Sequence, residues 1–199
     1  MGATVNEMLL AAYFYSVYEL ANFPASDQVM ISSAIDLRRH MDTVEGTGFT
    51  NHTAWMQCSI PERGRDIFET VQYVVRSSNR FKKDKFMGLY GLPLLNFGYS
   101  ILPHAASEEI VKIGYSNPYM AMSNIGILKG NELALVDKEP TDAFMSGAVK
   151  YKPFVLLTAT TYKNVITLSM CVRGNDKDKK IVSNFFNLME KNIKTLTGE

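Results

Sequence analysis

Apolar positions along this chain change their period several times, and each change marks an element. Residues 8–18 are almost uninterrupted in apolar side chains. Just before them, Thr4-Val-Asn-Glu7 has the form of a capping box, in which the Thr4 hydroxyl accepts from the Glu7 amide and the Glu7 carboxylate reaches back. The helix that follows, to about Leu20, is apolar on two sides, with Val5, Leu9 and Ala12 on one and Leu10, Phe14 and Val17 on the other. Such a helix sits between layers. Phe23-Pro24 ends it, and 28–37 then reads as a strand with Val29, Ile31 and Ile35 on alternate positions. Residues 38–50 are polar and carry Gly46 and Gly48, which predicts a loop. A second strand over 52–60 is stopped by Pro61.

Asp66 is placed to cap a helix whose stripe, Ile67, Phe68, Val71, Val74 and Val75, runs to about Lys83. Across 86–116, Pro93, Gly98 and Pro103 break the pattern into two or three short helices. Residues 119–128 predict a strand, with short extended pieces near Leu133 and Phe144. The runs 154–162 and 165–172 flank Lys163-Asn164 and read as a hairpin without the usual turn glycine. A last helix over 176–196 would bury Val182, Phe185, Phe186, Met189, Ile193 and Leu196. There is no regular βαβ alternation. The expected fold is therefore α+β, a two-layer sandwich with a mixed, largely antiparallel sheet covered by helices.

Length and charge narrow the classes. The 199 residues suit one domain, 1–199, with a sizeable core, and 46% hydrophobic against 21% charged residues excludes wholesale disorder. A net charge of +1 provides no global field for nucleic acid, and the 10 Tyr and 11 Phe lie in apolar runs rather than among basic residues. Cys58 and Cys171 match no metal or redox spacing and read as two buried thiols of a reducing compartment rather than a disulfide. The apolar run at the start is flanked by Glu7 and Glu19, lacks a basic leader and is too short to span a bilayer. A cytoplasmic protein without a membrane span is expected.

Most catalytic constellations are missing from the sequence. Gly46-Thr-Gly48 has Asn51 where a dinucleotide fingerprint needs its third glycine, and no nucleophile elbow occurs. His40, His52 and His104 stand alone, so no metal site is expected. Arg38 and Arg39 follow a strand end and Asp36. One of them can pair with a carboxylate there, or it can steady an anionic group at the mouth of a tunnel. The basic residues Arg76, Arg80, Lys82, Lys83 and Lys85 could contact phosphates, but a charge run ending a helix reads first as a solvated face that suits the helix dipole. Ser123-Asn124-Ile-Gly126 sets a polar pair and a glycine between apolar strand residues, where either a pocket or a close backbone crossing would use them. Asn51 has the same two readings.

Ala34-Ile-Asp-Leu-Arg-Arg39, Gly48-Phe-Thr-Asn51 and Ser123-Asn-Ile-Gly126 fall in an order and spacing that resemble the second half of the condensation-domain and alcohol-acyltransferase group. That group is related to chloramphenicol acetyltransferase and to nonribosomal peptide synthetase domains. The resemblance covers nearly the entire chain. It implies one arm of a V-shaped, two-arm fold, and transfer of an acyl group from a thioester on coenzyme A or phosphopantetheine to an amine or alcohol.

The family's catalytic motif, a histidine followed four residues later by Asp-Gly, belongs to the other arm and is absent from this sequence. His104-Ala-Ala-Ser-Glu108 echoes its spacing, but with glutamate for aspartate and Glu109 for glycine, and after rather than before the Gly-Phe-Thr-Asn segment. No catalytic residue is therefore assigned, and the chain is expected to be inactive alone.

By the same resemblance, Ser123, Asn124, Asn51 and Arg38 would line the substrate tunnel. The implied partners are a missing N-terminal half-domain and an acyl carrier protein. An exposed apolar face over 86–102 or 119–128 would meet the other arm or favour self-association. The opening Met1-Gly2, directly before the first helix cap, suggests an arm cut from a longer protein, or else a natural short one. The alternative class is a stand-alone, non-catalytic binding or oligomerisation module with the same half-fold.

Overall fold

The chain folds around one mixed sheet, seen in a computed structural model that describes residues 2–41, 51–84, 86–114, 118–136 and 138–198. The strands are β1 (Val29–Asp36), β2 (Thr53–Ile60), β3 (Met120–Leu128), β4 (Lys150–Tyr151), β5 (Val155–Tyr162), β6 (Val165–Met170) and β7 (Val172–Arg173). The helices are α1 (Val5–Ala21), α2 (Ile67–Lys82), α3 (Leu92–Ile101), α4 (His104–Gly114) and α5 (Asp176–Thr197). The main sheet has the order β2-β1-β3-β5-β6, and β4 pairs with β7 beside it. Antiparallel pairs, β1–β2 and β5–β6, form its two edges, while β1–β3 and β3–β5 run parallel at its centre. The architecture is the expected α+β one, and its main sheet has two parallel and two antiparallel pairings among the described residues.

α1 forms between the layers because both its sides are apolar. It packs against α2 on one flank and α5 on the other. Leu10, Ala11, Ala12 and Phe14 are wholly buried, and the sheet returns Ile31, Cys58, Met122 and Leu157 into the same core. Full burial of a side chain such as Leu10 or Phe14 contributes about 1.5–3 kcal/mol. The Thr4–Glu7 capping box is formed as the sequence implies. The Glu7 carboxylate, 2% exposed, also receives Lys82 of α2. α5 begins with a second capping box, between Asn175 and Asp178. Its Phe185 and Met189 are buried, with Phe186, Ile193 and Leu196 packed around them.

Three local details differ from the sequence expectation or refine it. Leu133 lies in a short 3-10 turn, Gly130–Leu133, and Phe144 lies in an irregular strap rather than a strand. The polar 38–50 segment begins with another 3-10 turn, Leu37–His40, whereas 42–50 lies outside the described residues. The β5–β6 hairpin forms without glycine because Lys163 and Asn164 both take left-handed backbone angles, φ 46° and 65°. That conformation suits a two-residue hairpin turn and is well tolerated by Asn.

The strap before β4 crosses the sheet face opposite the helices. It is held by side chains instead of strand pairing. The Met145 amide donates to Thr160 Oγ1, and the Met145 carbonyl accepts from the Thr158 and Ser169 hydroxyls. The Tyr162 hydroxyl donates to the Pro140 carbonyl.

Candidate functional site

The candidate site is built where β1 and β3 part. These parallel strands pair only at Ser32–Ala121 and Ser33–Met122. Beyond those residues β1 stays paired with β2 as far as Asp36–Thr53, and β3 stays with β5 as far as Leu128–Tyr162. The ladder between the two halves of the sheet thus stops at Ser33 and Met122, and the carboxyl-terminal parts of β1 and β3 run on without pairing to each other. From there the chain leaves β1 toward one edge and β3 toward the other. Crevices at such a switch in connectivity are where open sheets with parallel strands bind ligands.

The Ser-Asn-Ile-Gly sequence itself shapes this end of β3. Its register with β5 shifts between Asn124 and Ile127, a bulge. Gly126 takes φ +77°, a left-handed angle that a side chain would strain. Asn124 Oδ1 accepts from the Gly126 amide at 2.9 Å, closing the local turn. Its Nδ2 makes a longer contact, 3.4 Å, to Asn6 Oδ1 in the first turn of α1.

Strand alternation puts Ser123 on the other face, since successive side chains point to opposite sides. Ser123 is half-buried and lies in register with Thr158, whose hydroxyl meets Ser169 Oγ at 2.7 Å. Ser123 and Asn124 therefore open onto opposite faces of the sheet. They are adjacent along the strand and do not converge as a pair.

Arg38 and Asn51 sit at the matching end of the β1–β2 pair, where the Leu37 amide donates to the His52 carbonyl. Arg38 clasps Asp36, with Nε at 2.9 Å from each carboxylate oxygen and one terminal nitrogen at 2.7 Å. The guanidinium and the Arg38 amide hold the Asp36 carboxyl below the ordinary carboxylate range. Both side chains are about half exposed, so the pair adds little stability but leaves guanidinium donors facing water. Asn51 is exposed, and its Oδ1 accepts from the Thr53 amide at 2.9 Å at the start of β2. The Gly-Phe-Thr part of its motif lies outside the described residues.

Asn124, Asn51 and Arg38 thus each perform a local structural task. Among the described residues, no hydrogen bond or ion pair joins any two of the four candidates.

Two features of this region were not singled out in the sequence. Asn6 meets Asn124 across 118 positions, a proximity that no local pattern reports. His52 carries a buried Nε2 with no hydrogen-bond partner among the described residues, beside the Arg38–Asp36 end of the sheet. His104 stands at the first residue of α4, in line with its reading as a helix start, and is exposed. The described residues contain no cluster of His, Cys, Asp or Glu able to hold a metal ion. No helix among them is long and apolar enough to cross a membrane.

No family model and no curated protein sequence matches the chain. Solved structures match it in fold. The trichothecene 15-O-acetyltransferase of Fusarium sporotrichioides superposes with a TM-score of 0.61 at 12% identity, over 94% of this chain and 41% of that one. The PapA2 acyl transferase gives 0.57 at 13% identity, over 96% of this chain and 38% of that one. The epimerization domain from the third module of tyrocidine synthetase B gives 0.55 at 13% identity, over 99% and 43%. Over 94–99% of its length the chain shares the fold of these proteins, and it spans about two fifths of the proteins it resembles.

Proposed function

We propose that this chain is the substrate-holding arm of an acyltransferase or condensation-type enzyme. In that enzyme an acyl group passes from a coenzyme A or carrier-protein thioester to an amine or alcohol. The observation that carries this reading is the opening between the carboxyl ends of β1 and β3, flanked by the motif residues. It lies in a fold whose solved relatives include an acetyltransferase and an acyl transferase.

Attack on a thioester needs a base to take the proton from the amine or alcohol, and donors to meet the charge that develops on the carbonyl oxygen. In this reading the base belongs to a second arm carrying the His-x-x-x-Asp-Gly motif. The present chain contributes binding. The outward donors of Arg38 suit a phosphate or pyrophosphate of the donor, and Ser123 offers a hydroxyl to the pantetheine arm. Asn124 and Asn51 shape the two lips of the opening. The second arm would cover the outer end of β3, where Ile125 and Ile127 are 42% and 76% exposed.

The other reading is a non-catalytic module. It is favoured by the local tasks that already occupy Asn124, Asn51 and Arg38. Titration calorimetry with coenzyme A and with a phosphopantetheinylated carrier, alongside a thioester turnover assay with amines and alcohols, separates the two. The arm reading expects weak binding of at least one donor, lowered about fivefold or more by Arg38→Ala, with no turnover by the chain alone. Absence of binding to either donor would favour the module. Turnover abolished by His104→Ala would show that the base lies in this chain.

A further inference from the structure

The outer edge of β6 and the groove at its end suit the same kind of partner. β6 is the last strand in the sheet order, with no strand on its outer side. The two-residue turn bonds Tyr162 to Val165, so the N–H and C=O groups of Ile166, Leu168 and Met170 point away from β5. Protein edges are commonly blunted by charged side chains or proline, and Val165–Met170 contains neither. Its first residues, Val165 and Ile166, are 63% and 42% exposed.

Where β6 ends, the start of α5 stands beside it and leaves a groove of about 520 Å3. Val149, Met170, Val172 and Val182 give the groove an apolar lining, joined by Lys179 and Ser183 of α5. The surroundings are basic. From Ala143 to Met189 there are seven Lys and Arg residues against two acids, Asp176 and Asp178. Lys150, Lys152, Arg173, Lys177, Lys179 and Lys180 lie on or next to β4, β7 and the first turns of α5, and Lys163 marks the other end of β6. Asp178 is already held by Lys152 at 2.6 Å and by the Asn175 amide at 2.8 Å. Asp176 also lines the groove, and the bases around it outnumber it.

This end of the sheet is not the one assigned to a second arm. Met170 lies opposite Leu157, and Leu157 opposite Met122, so β6 ends toward the amino ends of β3 and β5. The opening, with Ile125 and Ile127, lies toward their carboxyl ends.

We propose that this edge takes an extended, acidic segment of another protein, which adds a strand to β6 and seats an apolar side chain in the groove. Each feature selects one property of that segment. Outward N–H and C=O groups at strand spacing match a peptide backbone. The apolar lining takes an anchoring side chain, and the basic rim takes Asp or Glu residues beside it. A second copy of this chain fits worse. Pairing β6 with itself, Ile166 to Met170, sets Lys163 of each copy against Arg173 of the other. The inference is independent of the acyltransferase reading, and either can fail without the other.

Fluorescence anisotropy of a labelled synthetic peptide, with Val and Thr alternating and Glu at both ends, tests it. The purified chain is expected to bind this peptide, and to bind a version ending in Lys about tenfold more weakly. Methylating the backbone nitrogens on the pairing side of the Glu-ended peptide should abolish binding, because strand addition needs those donors. Lys179→Glu together with Lys180→Glu should weaken binding about tenfold and flatten its salt dependence. Val149→Asp should weaken it several-fold through the groove. Lys129→Glu, just past the carboxyl end of β3, should leave it unchanged. Melting curves like those of the wild type would show that the variants remain folded.

No binding of the Glu-ended peptide would overturn the proposal, as would equal affinity for the Lys-ended or the methylated peptide. Self-association in light scattering that Ile166→Lys abolishes, without peptide binding, would assign the edge to a second copy instead.

Discussion

The ammonium of Lys82, in the last turn of α2, lies 2.7 Å from the carboxylate of Glu7 in the first turn of α1. The contact spans 75 positions and joins two of the helices that cover the sheet. Burial pushes the Glu7 carboxyl upward, but hydrogen bonds from Lys82, Thr4 and Ser78 outweigh it and bring the group from 4.5 to about 2. The stabilisation is therefore complete above pH 4.5 and is lost as pH falls toward 2. A shift of this size corresponds to about 3 kcal/mol, cut to about 1–2 kcal/mol because Lys82 is partly in solvent. Melting curves from pH 7 to 3 should show Glu7→Gln less stable than wild type at neutral pH, with the gap narrowing on acidification. A constant gap would mean that folding does not shift the Glu7 carboxyl from its ordinary pKa.

Asn124→Ala removes the acceptor of the Gly126 amide at the bulge of β3. The expected cost is about 1 kcal/mol, or a fall of about 2–4 °C in Tm. Asn124→Asp keeps the acceptor and loses only the contact to Asn6, so it should retain most of that stability. If both variants melt like wild type, the side chain is not what stabilises this turn.

The strap before β4 rests on Thr158, whose hydroxyl donates to the Met145 carbonyl at 3.0 Å and also meets Ser169 Oγ. Thr158→Val keeps the shape and deletes the hydroxyl. A loss of about 1 kcal/mol is expected, since the strap loses one of its bonds while the Ser169 hydroxyl still donates to the Met145 carbonyl. Faster limited proteolysis around Lys138 and Lys150 should accompany it. Unaltered cleavage would show that the strap is anchored elsewhere.

The two thiols should differ in reactivity. Cys58 is wholly buried, and burial pushes its thiol up to about 11, with Glu7 adding to the rise and Ser77 opposing it. Cys171 is half-buried, with its sulfur 3.0 Å from Ser146 Oγ. A maleimide reagent at neutral pH should modify Cys171 first and Cys58 only on unfolding. Equal rates would mean that the core around Cys58 opens readily.

Local chemistry accounts for what could be read from the sequence alone. The helix starts at Thr4 and Asp66 follow from capping within four residues. The two-sided apolarity of α1 follows from its own turn geometry, and the β5–β6 hairpin from two apolar runs with a two-residue gap. The α+β class was legible for the same reason, and the order of three short motifs from Ala34 to Gly126 matched the fold that the solved structures share. Positions separated by a few residues carry their geometry with them.

Only the tertiary structure decided the rest. That β1 lies beside β3, parallel to it and parted from it after two residue pairs, depends on contacts nearly 90 positions apart. The same is true of the meeting of Asn6 with Asn124 and of Glu7 with Lys82. The opposite facing of Ser123 and Asn124 follows from strand alternation, but it matters only once the helices cover one face of the sheet. An exposed apolar face over 86–102 was already an expectation, but that α3 is bare on both of its sides only the fold decided, because an apolar run looks the same whether a core buries it or not.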